Sequence, residues 1–502
     1  MSLEQLYLVL LVGGLVLLTG AVAALLATRL GLPSLLLYLG LGVVLGEDVL
    51  GIEFHDTEIV QSLGTAALAV ILVEGGLATR WSDIRRLIAP AALLATVGVG
   101  ISLVVTALGA HLLLGIDWQL SLLVGAIVSS TDAAAVFSVL RVLPLPRRLA
   151  GLLEAESGFN DAPTVILVLL FSTVPLEIAP LEIALNLVYQ LAVGAVIGLA
   201  IGWGGAQVLP RLALPAAGLY PVATFGLGVI AFAAGGAVHA SGFIAAYLAG
   251  LALANTGRLP HRSATRSFAE GLGWLAQIGL FVLLGLLVTP SELPGEVLPA
   301  LVIGLVLLLA ARPLSVVLPL LGFGVPWREQ VFLSWAGLRG AVPIVLATFP
   351  IVRGVPGSER VLDIVFVLVV VFTLVQGPSL RPLARLLGII PREATREIQV
   401  DSVPLNVVGA ELLTMTVPPG SRLHHTTVVE LRLPEPAVIP LVVRRGRAFV
   451  PMPDTYLEIG DELLVVTTVE HRAAAELTIR SVRVMRRGRP SKAGTSAPVH
   501  AH

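Results

Sequence analysis

The stretch Leu153 to Leu170 reads LEAESGFNDAPTVILVLL and places Glu154, Glu156, Asn160 and Asp161 at the start of a run otherwise apolar enough to cross a bilayer. A carboxylate in mid-membrane costs roughly 2.5–3.5 kcal/mol on insertion scales, so intramembrane acids mark ion pathways and proton relays. On a helix Ser157 and Asp161 share one face as an i, i+4 pair, and Glu156 and Asn160 form a second pair about 100° round. A partly dehydrated Na+ or K+ needs several oxygen ligands. Asp161, Ser157, Glu74 in AVILVEGGL, and the carbonyl or hydroxyl of Thr131 can supply them. Burial disfavours the ionised form of a carboxylate, so a proton and a metal cation compete for one acid near neutral pH. Asp161 is therefore expected to be the carrier group of an ion-coupled transporter, which needs no cofactor and is not an enzyme.

The elements around this stretch belong to a membrane. Of 502 residues, 56% are hydrophobic and only 13% charged, with a mean hydropathy of +0.93, outside the balance of soluble domains. A formal net charge of -1 excludes a broadly basic nucleic-acid binder. The absence of cysteine excludes disulfides, iron–sulfur clusters and thiolate zinc sites. The first twenty residues lack a basic n-region and a small-residue cleavage site, so they are expected to form the first span and not a removed signal peptide.

Apolar runs fall near residues 5–27, 33–46, 58–78, 87–113, 119–140, 153–172, 182–209, 218–235, 241–254, 270–288, 297–320, 329–349 and 361–388, an expected thirteen spans. Alternate loops carry Arg29; Arg80, Arg85 and Arg86; Arg141, Arg147 and Arg148; Arg211; Arg258, Arg262 and Arg266; Arg328; and Arg381, Arg385 and Arg392. The other loops hold Glu47, Asp48, Glu53, Asp56, Asp117, Glu177, Glu182, Glu292 and Glu296, and only the loop with Arg353 and Arg360 breaks the alternation. Positive charge collects on the cytoplasmic side, which places the N-terminus outside and the C-terminus in the cytoplasm.

Two spans are expected to be broken in mid-membrane. Ser129, Ser130, Thr131 and Asp132 are consecutive, and residues of these types bond nearby backbone and start a new helix more readily than they continue an old one. The segment GLRGAVP from Gly337 to Pro343 combines two glycines, an arginine and a proline that lacks an N–H. The breaks lie seven spans apart, an odd separation that inverts orientation and suggests two inverted repeats with discontinuous helices crossing near the midplane. Arg312, in AARP, suits a structural role, either neutralising the C-terminus of a half-helix or sitting near the end of its span. His239, in GAVHAS, is expected in a loop.

The segments SSTDAAAVFSVLR (Ser129 to Arg141), ESGFNDAPTVI (Glu156 to Ile166) and WAGLRGAVPIVLA (Trp335 to Ala347) resemble, in this order, the signatures of the monovalent cation/proton antiporter family, NhaP-type branch. The resemblance covers about residues 5–390. It implies a thirteen-helix fold in which a mobile bundle of spans 4–6 and 11–13 slides against a dimerising scaffold, an elevator form of alternating access. It implies that Asp161 binds the cation, with Glu74, Thr131 and Ser157 completing the site, that Asp132 supports the helix crossing, and that Glu156 pairs with Arg339. Electrogenic relatives carry a second Asp where this chain has Asn160, which implies electroneutral exchange of one cation for one proton. The implied partners are K+ or Na+, protons, membrane lipid and a second copy of the chain.

After Pro391 the composition changes. Residues 397 to about 482 contain ELLTMTVPP, VVELRLP, IPLVVRRGRAFVPM and YLEIGDELLVVTT, short alternating runs expected to form strands of a small α+β domain. RRGRAFVP followed by LEIGDELLVV is similar to the C-terminal half of the potassium-conductance regulator (RCK, TrkA-C) domain. That similarity implies a cytoplasmic module sensing a small ligand or ion, and in this branch favours K+. The basic tail, residues 484–502, is expected to be disordered. A regulated cation channel is the alternative, but no TVGYG-like filter loop is present. An intramembrane hydrolase would want HExxH or a nucleophile–base pairing, and neither is evident.

Overall fold

The computed structural model describes residues 3–30, 33–52, 54, 56–132, 145–176, 179–256, 259–390, 410–417, 423–431, 433–471 and 474. Glu53, Arg141, Glu177, Arg258, Arg392 and the tail after Val484 lie outside the described residues, as does the part of the fifth span beyond Asp132. The chain forms two compact units, Met1–Ala394 and Thr395–His502.

The first unit is helical because its sequence is a succession of long apolar runs, and in lipid a helix satisfies its own backbone groups. Its helices are α1 (Leu3–Leu30), α2 (Ser34–Leu45), α3 (Thr57–Ala78), α4 (Ile88–Leu114), α5 (Trp118–Ser129), α6 (Arg147–Phe171), α7 (Pro180–Val208), α8 (Leu219–Ala237), α9 (Gly242–Asn255), α10 (Arg262–Leu286), α11 (Leu293–Leu320), α12 (Trp327–Trp335), α13 (Ala341–Val352) and α14 (Ser358–Leu386). Among the described residues, eight helices are long and apolar enough to cross a membrane: α1, α3, α4, α7, α8, α10, α11 and α14. Helices α2, α5, α9 and α13 are shorter apolar segments. Helix α6 begins at Arg147, six residues before the apolar run, so the acids expected at the head of a span lie inside a 25-residue helix.

Close packing follows from small residues. On α7, Gly194, Gly198 and Gly202 recur every four residues against Ser241, the N-cap of α9, and Ala245 and Ala249 within it, where an added Cβ would lie 2.4–2.7 Å from a backbone carbonyl oxygen. This is the small-residue contact that lets membrane helices approach backbone to backbone. A second group is formed by α4, α5, α6 and α11 to α14, with α5 packed on α4 and α6, α11 on α4 and α14, and α13 on α14. Both α4 and α11 contain a π-helical turn, at Leu94–Gly98 and Leu307–Ala311.

The loop that broke the charge alternation has a structural explanation. Arg353 Nη1 donates to the Leu169 carbonyl in the last turn of α6 at 2.7 Å, and Arg360 Nε donates to Glu296 Oε1 at 2.9 Å. One arginine caps a helix C-terminus and the other is paired with an acid, so neither serves as a free positive loop charge.

The second unit holds a four-stranded antiparallel sheet of β1 (Ala410–Thr416), β2 (Val438–Arg444), β3 (Arg447–Phe449) and β4 (Glu462–Thr468), in the order β1-β4-β2-β3. Val417, Leu423, Leu431, Val442, Leu457 and Leu463 form its buried core. VVELRLP, expected as a strand, instead contains a 3-10 turn at Val429–Leu431. The sequence Thr427-Val-Val-Glu430 explains the difference. Glu430 Oε2 accepts from the Thr427 backbone N–H at 2.9 Å, which starts a helical turn and holds the Glu430 carboxyl below its ordinary range.

Arg444 is the polar anchor of the sheet. It donates to both oxygens of the fully buried Asp461 at 2.8 and 2.7 Å, to Glu458 at 2.8 Å and to the Tyr456 carbonyl at 2.7 Å. Burial pushes the Asp461 carboxyl up, but the hydrogen bonds from Arg444 and from the Glu458 backbone N–H outweigh it and hold the group below its ordinary range. A depressed folded-state value means this stability is present above the unfolded value near 3.9 and is lost as pH falls through the folded one. Arg444→Ala is expected to destabilise this unit by about 2–3 kcal/mol. Limited proteolysis of the full chain checks it, with cleavage within residues 410–471 accelerated at neutral pH, where the wild-type unit resists until acid.

Candidate ion-binding site

The site is built where two helices stop. Helix α5 ends at Ser129, and Ser130 is extended, with φ -65° and ψ 143°. Helix α12 ends at Trp335, and α13 starts afresh at Ala341. Pro343 falls in the first turn of α13, where a missing N–H costs nothing because that donor has no intrahelical partner. The unwound segments touch: the Asp132 N–H donates to the Leu338 carbonyl at 3.0 Å, and Asp132 Oδ2 accepts from the Ala341 N–H at 2.9 Å. A carboxylate at the first N–H of α13 both satisfies an orphan donor and meets the positive end of the helix dipole. Gly340 makes this approach possible, since a Cβ there would coincide with the Asp132 carboxylate. Gly340→Ala is expected to lower exchange in proteoliposomes more than tenfold, with a parallel fall in the yield of monodisperse protein.

Helix α6 lies across the first break. Ser130 Oγ donates to Asp161 Oδ1 at 2.7 Å, Ser157 Oγ donates to the Thr131 carbonyl at 2.8 Å, and Asn160 Nδ2 donates to Thr131 Oγ1. All five residues are buried. The Asp161 carboxylate has no other hydrogen bond among the described residues, and Asn160 Oδ1 is a buried oxygen with no partner among them. The structure thus gathers a carboxylate, two serine hydroxyls, a threonine carbonyl and hydroxyl, and an amide oxygen around one unwound turn. That is an oxygen-only ligand set suited to a hard monovalent cation. Ser130 was absent from the expected ligands, and Asn160, expected as an uncharged neighbour, meets Thr131 as well. Glu74 lies on α3 against Gly273 of α10, where an added Cβ would sit 3.5 Å from Glu74 Oε2.

The expected pairing of Glu156 with Arg339 is replaced. Glu156 Oε1 accepts from Arg312 Nη1 at 2.7 Å, and both side chains are at least 95% buried. Arg339 instead donates from Nε to the Val128 carbonyl at 2.7 Å and from Nη1 to the Gly337 carbonyl at 2.6 Å. Arg312 is the first residue of α11 after its π-helical turn at Leu307–Ala311. Arg312 Nη2 also donates to Leu333 in the last turn of α12 at 3.1 Å, and its guanidinium lies flat on Gly337, where a Cβ would come within 2.5 Å of Nε.

Two guanidinium groups lie against one carboxylate, Glu156, and the C-terminal ends of α5 and α12, whose partial negative charge offsets part of the excess positive charge. A cavity of about 10 Å³ lined by Arg312, Gly337, Arg339, Phe372 and Gln376 adjoins the cluster, room for one water.

A polytopic helical unit with buried oxygen atoms where the unwound segment after α5 meets the one between α12 and α13 fits a class of membrane protein in which an ion is held near the midplane. Comparison with known proteins narrows the class. Residues 14–386 match the sodium/hydrogen exchanger transmembrane family, and residues 412–479 match the TrkA-C domain. The chain belongs to the sodium/hydrogen exchanger family. It is 37% identical over 473 residues, 92% of its own length and 82% of the relative's, to the K(+)/H(+) antiporter NhaP of Alkalimonas amylolytica. It is 37% identical to the K(+)/H(+) antiporter NhaP2 of Shewanella sp. (strain ANA-3), covering 91% of this chain and 80% of that one. The Na(+)/H(+) antiporter ApNhaP of Aphanothece halophytica is 30% identical, with 69% of each chain covered. The helical fold is shared with the sodium proton antiporter MjNhaP1 of Methanocaldococcus jannaschii, with a TM-score of 0.66 at 24% identity, covering 76% of this chain and 99% of that one.

Proposed function

We propose that the protein exchanges a monovalent cation for a proton across the cell membrane, with Asp161 as the group both ions share. The observation that carries this reading is the contact of Asp161 with the unwound Ser130–Thr131 segment, with Ser157 and Asn160 alongside. A carboxylate carrying either one proton or one monovalent cation is neutral overall, whereas the bare carboxylate is penalised in a medium of low dielectric. The loaded forms cross and the empty form does not, which couples the two fluxes. With Asn160 and not a second acid beside Asp161, one charge must be neutralised per cycle, and exchange is one for one and electroneutral.

The family's NhaP members support the wider frame. The membrane unit is read as thirteen spans in two inverted repeats, with α4 to α6 and α11 to α14 as the moving bundle of an elevator and the remaining helices as a dimerising scaffold. The N-terminus lies outside and the C-terminus in the cytoplasm. Asp132, Arg312 and Arg339 hold the helix crossing, Glu156 pairs with Arg312, and Glu74 and Thr131 complete the cation site. K+ is the favoured cation and Na+ the other candidate: the K(+)/H(+) relatives align over both units, and the TrkA-C domain is read as a regulator that senses a small ligand or ion.

Addition of Na+, K+ or Li+ to acid-loaded proteoliposomes across a pH series tests the reading. Alkalinisation of the lumen is expected with K+ at lower concentration than with Na+. No cation-driven proton movement at any pH would refute antiport, and a lower half-saturating concentration for Na+ would refute the preference.

A further inference from the structure

A groove of about 450 Å³ lies where the first turn of α12 meets the last turn of α14, lined by Trp327, Arg328, Arg385, Leu386, Leu387, Gly388 and Ile390. Its volume falls within the roughly 300–1,000 Å³ of ligand pockets. No acid is among the lining residues. Arg328 lies over the Trp327 ring at 5.7 Å, and neither Arg328 nor Arg385 forms an ion pair among the described residues. Gly388, with φ +68°, turns the chain past the groove beside Arg328.

The position of the groove indicates its occupant. It sits at the ends of apolar helices, and Arg148 Nη2 donating to the Phe323 carbonyl places it at the same end of the unit as the start of α6, with Arg147 and Arg148. This is the arginine-rich face, which the orientation proposed above turns toward the more anionic cytoplasmic leaflet. Trp327 and Leu386 are exposed, at 64% and 82%, although one is an indole and the other a leucine. An amphipathic indole is a membrane-interface side chain, and an exposed leucine beside two arginines matches a ligand with a phosphate and an acyl chain. We propose that this groove binds the headgroup of an anionic phospholipid, its phosphate between Arg328 and Arg385 and the start of an acyl chain along Trp327 and Leu386. Such a lipid bridges α12, one arm of a broken helix, to α14, and so steadies the end of the bundle that carries the ion site.

The test is native mass spectrometry of the full-length protein, purified in detergent and titrated with phosphatidylglycerol or phosphatidylcholine, with inorganic phosphate as competitor. Wild-type protein is expected to retain phosphatidylglycerol over phosphatidylcholine. Arg328→Gln with Arg385→Gln is expected to weaken that retention about 25-fold, roughly fivefold per arginine, with an unchanged melting temperature in lipid-free detergent and a smaller rise than wild type when phosphatidylglycerol is added. Arg328→Lys with Arg385→Lys is expected to keep most of it, because charge is retained. Equal retention by the glutamine variant would overturn the proposal. Displacement by millimolar inorganic phosphate would also overturn it, by showing a soluble phosphate site and not a lipid site.

Discussion

Asp161→Asn is expected to abolish cation-driven proton movement in proteoliposomes, at least a hundredfold below wild type, while the protein remains folded and monodisperse. The hydrogen bond explains the second half of the prediction. Ser130 Oγ donates to Asp161 Oδ1, and an asparagine presents the same acceptor in nearly the same place, so the contact between α6 and the unwound segment survives. What is lost is the group that alternates between a proton and a cation. Asparagine supplies a neutral oxygen that cannot bind a proton near neutral pH or balance the charge of a dehydrated cation. A fluorescence assay of lumenal pH together with the melting curve separates the outcomes. Loss of transport with loss of folding would make Asp161 structural, and retained transport would remove it from the mechanism.

The second large effect concerns stability. Arg312→Met leaves Glu156 buried without its partner and frees the Leu333 carbonyl at the end of α12. Removing one member of a buried ion pair costs about 3–5 kcal/mol, whereas replacing both with uncharged residues of similar volume is often close to neutral. Arg312→Met alone is therefore expected to lower the melting temperature markedly, and Glu156→Gln combined with Arg312→Met to recover part of the loss. A double-mutant cycle decides which arginine is the partner: coupling of roughly 1–3 kcal/mol is expected for 156 with 312, and less for 156 with 339.

These effects show where sequence reasoning succeeded and where it stopped. The end of α5 at Ser129 and the gap between α12 and α13 were legible, because runs of Ser, Thr and Asp, and Gly with Pro, disfavour continued helix for local reasons. The nearness of Thr131 to Ser157 was legible because a polar break and a polar helix face have few other partners in lipid. The role of Ser130 was not, since which of several adjacent hydroxyls faces α6 depends on the extended backbone at that residue. The partner of Glu156 was not legible either, since two buried arginines, Arg312 and Arg339, were available and which of them reaches the carboxylate depends on tertiary packing. Hydropathy also trimmed α6, whose first six residues, Arg147 to Leu152, include two arginines although they continue the helix. In the second unit the reverse held: the Thr427-x-x-Glu430 capping signal was present and outweighed an apparent strand.

The central claim is that one acid alternates between one proton and one monovalent cation. It is tested most directly by measuring cation and proton fluxes in the same proteoliposomes, with the membrane potential clamped at several values. The account predicts a ratio of one to one and a rate independent of the potential. A rate that follows the potential, or a ratio other than one, would contradict it.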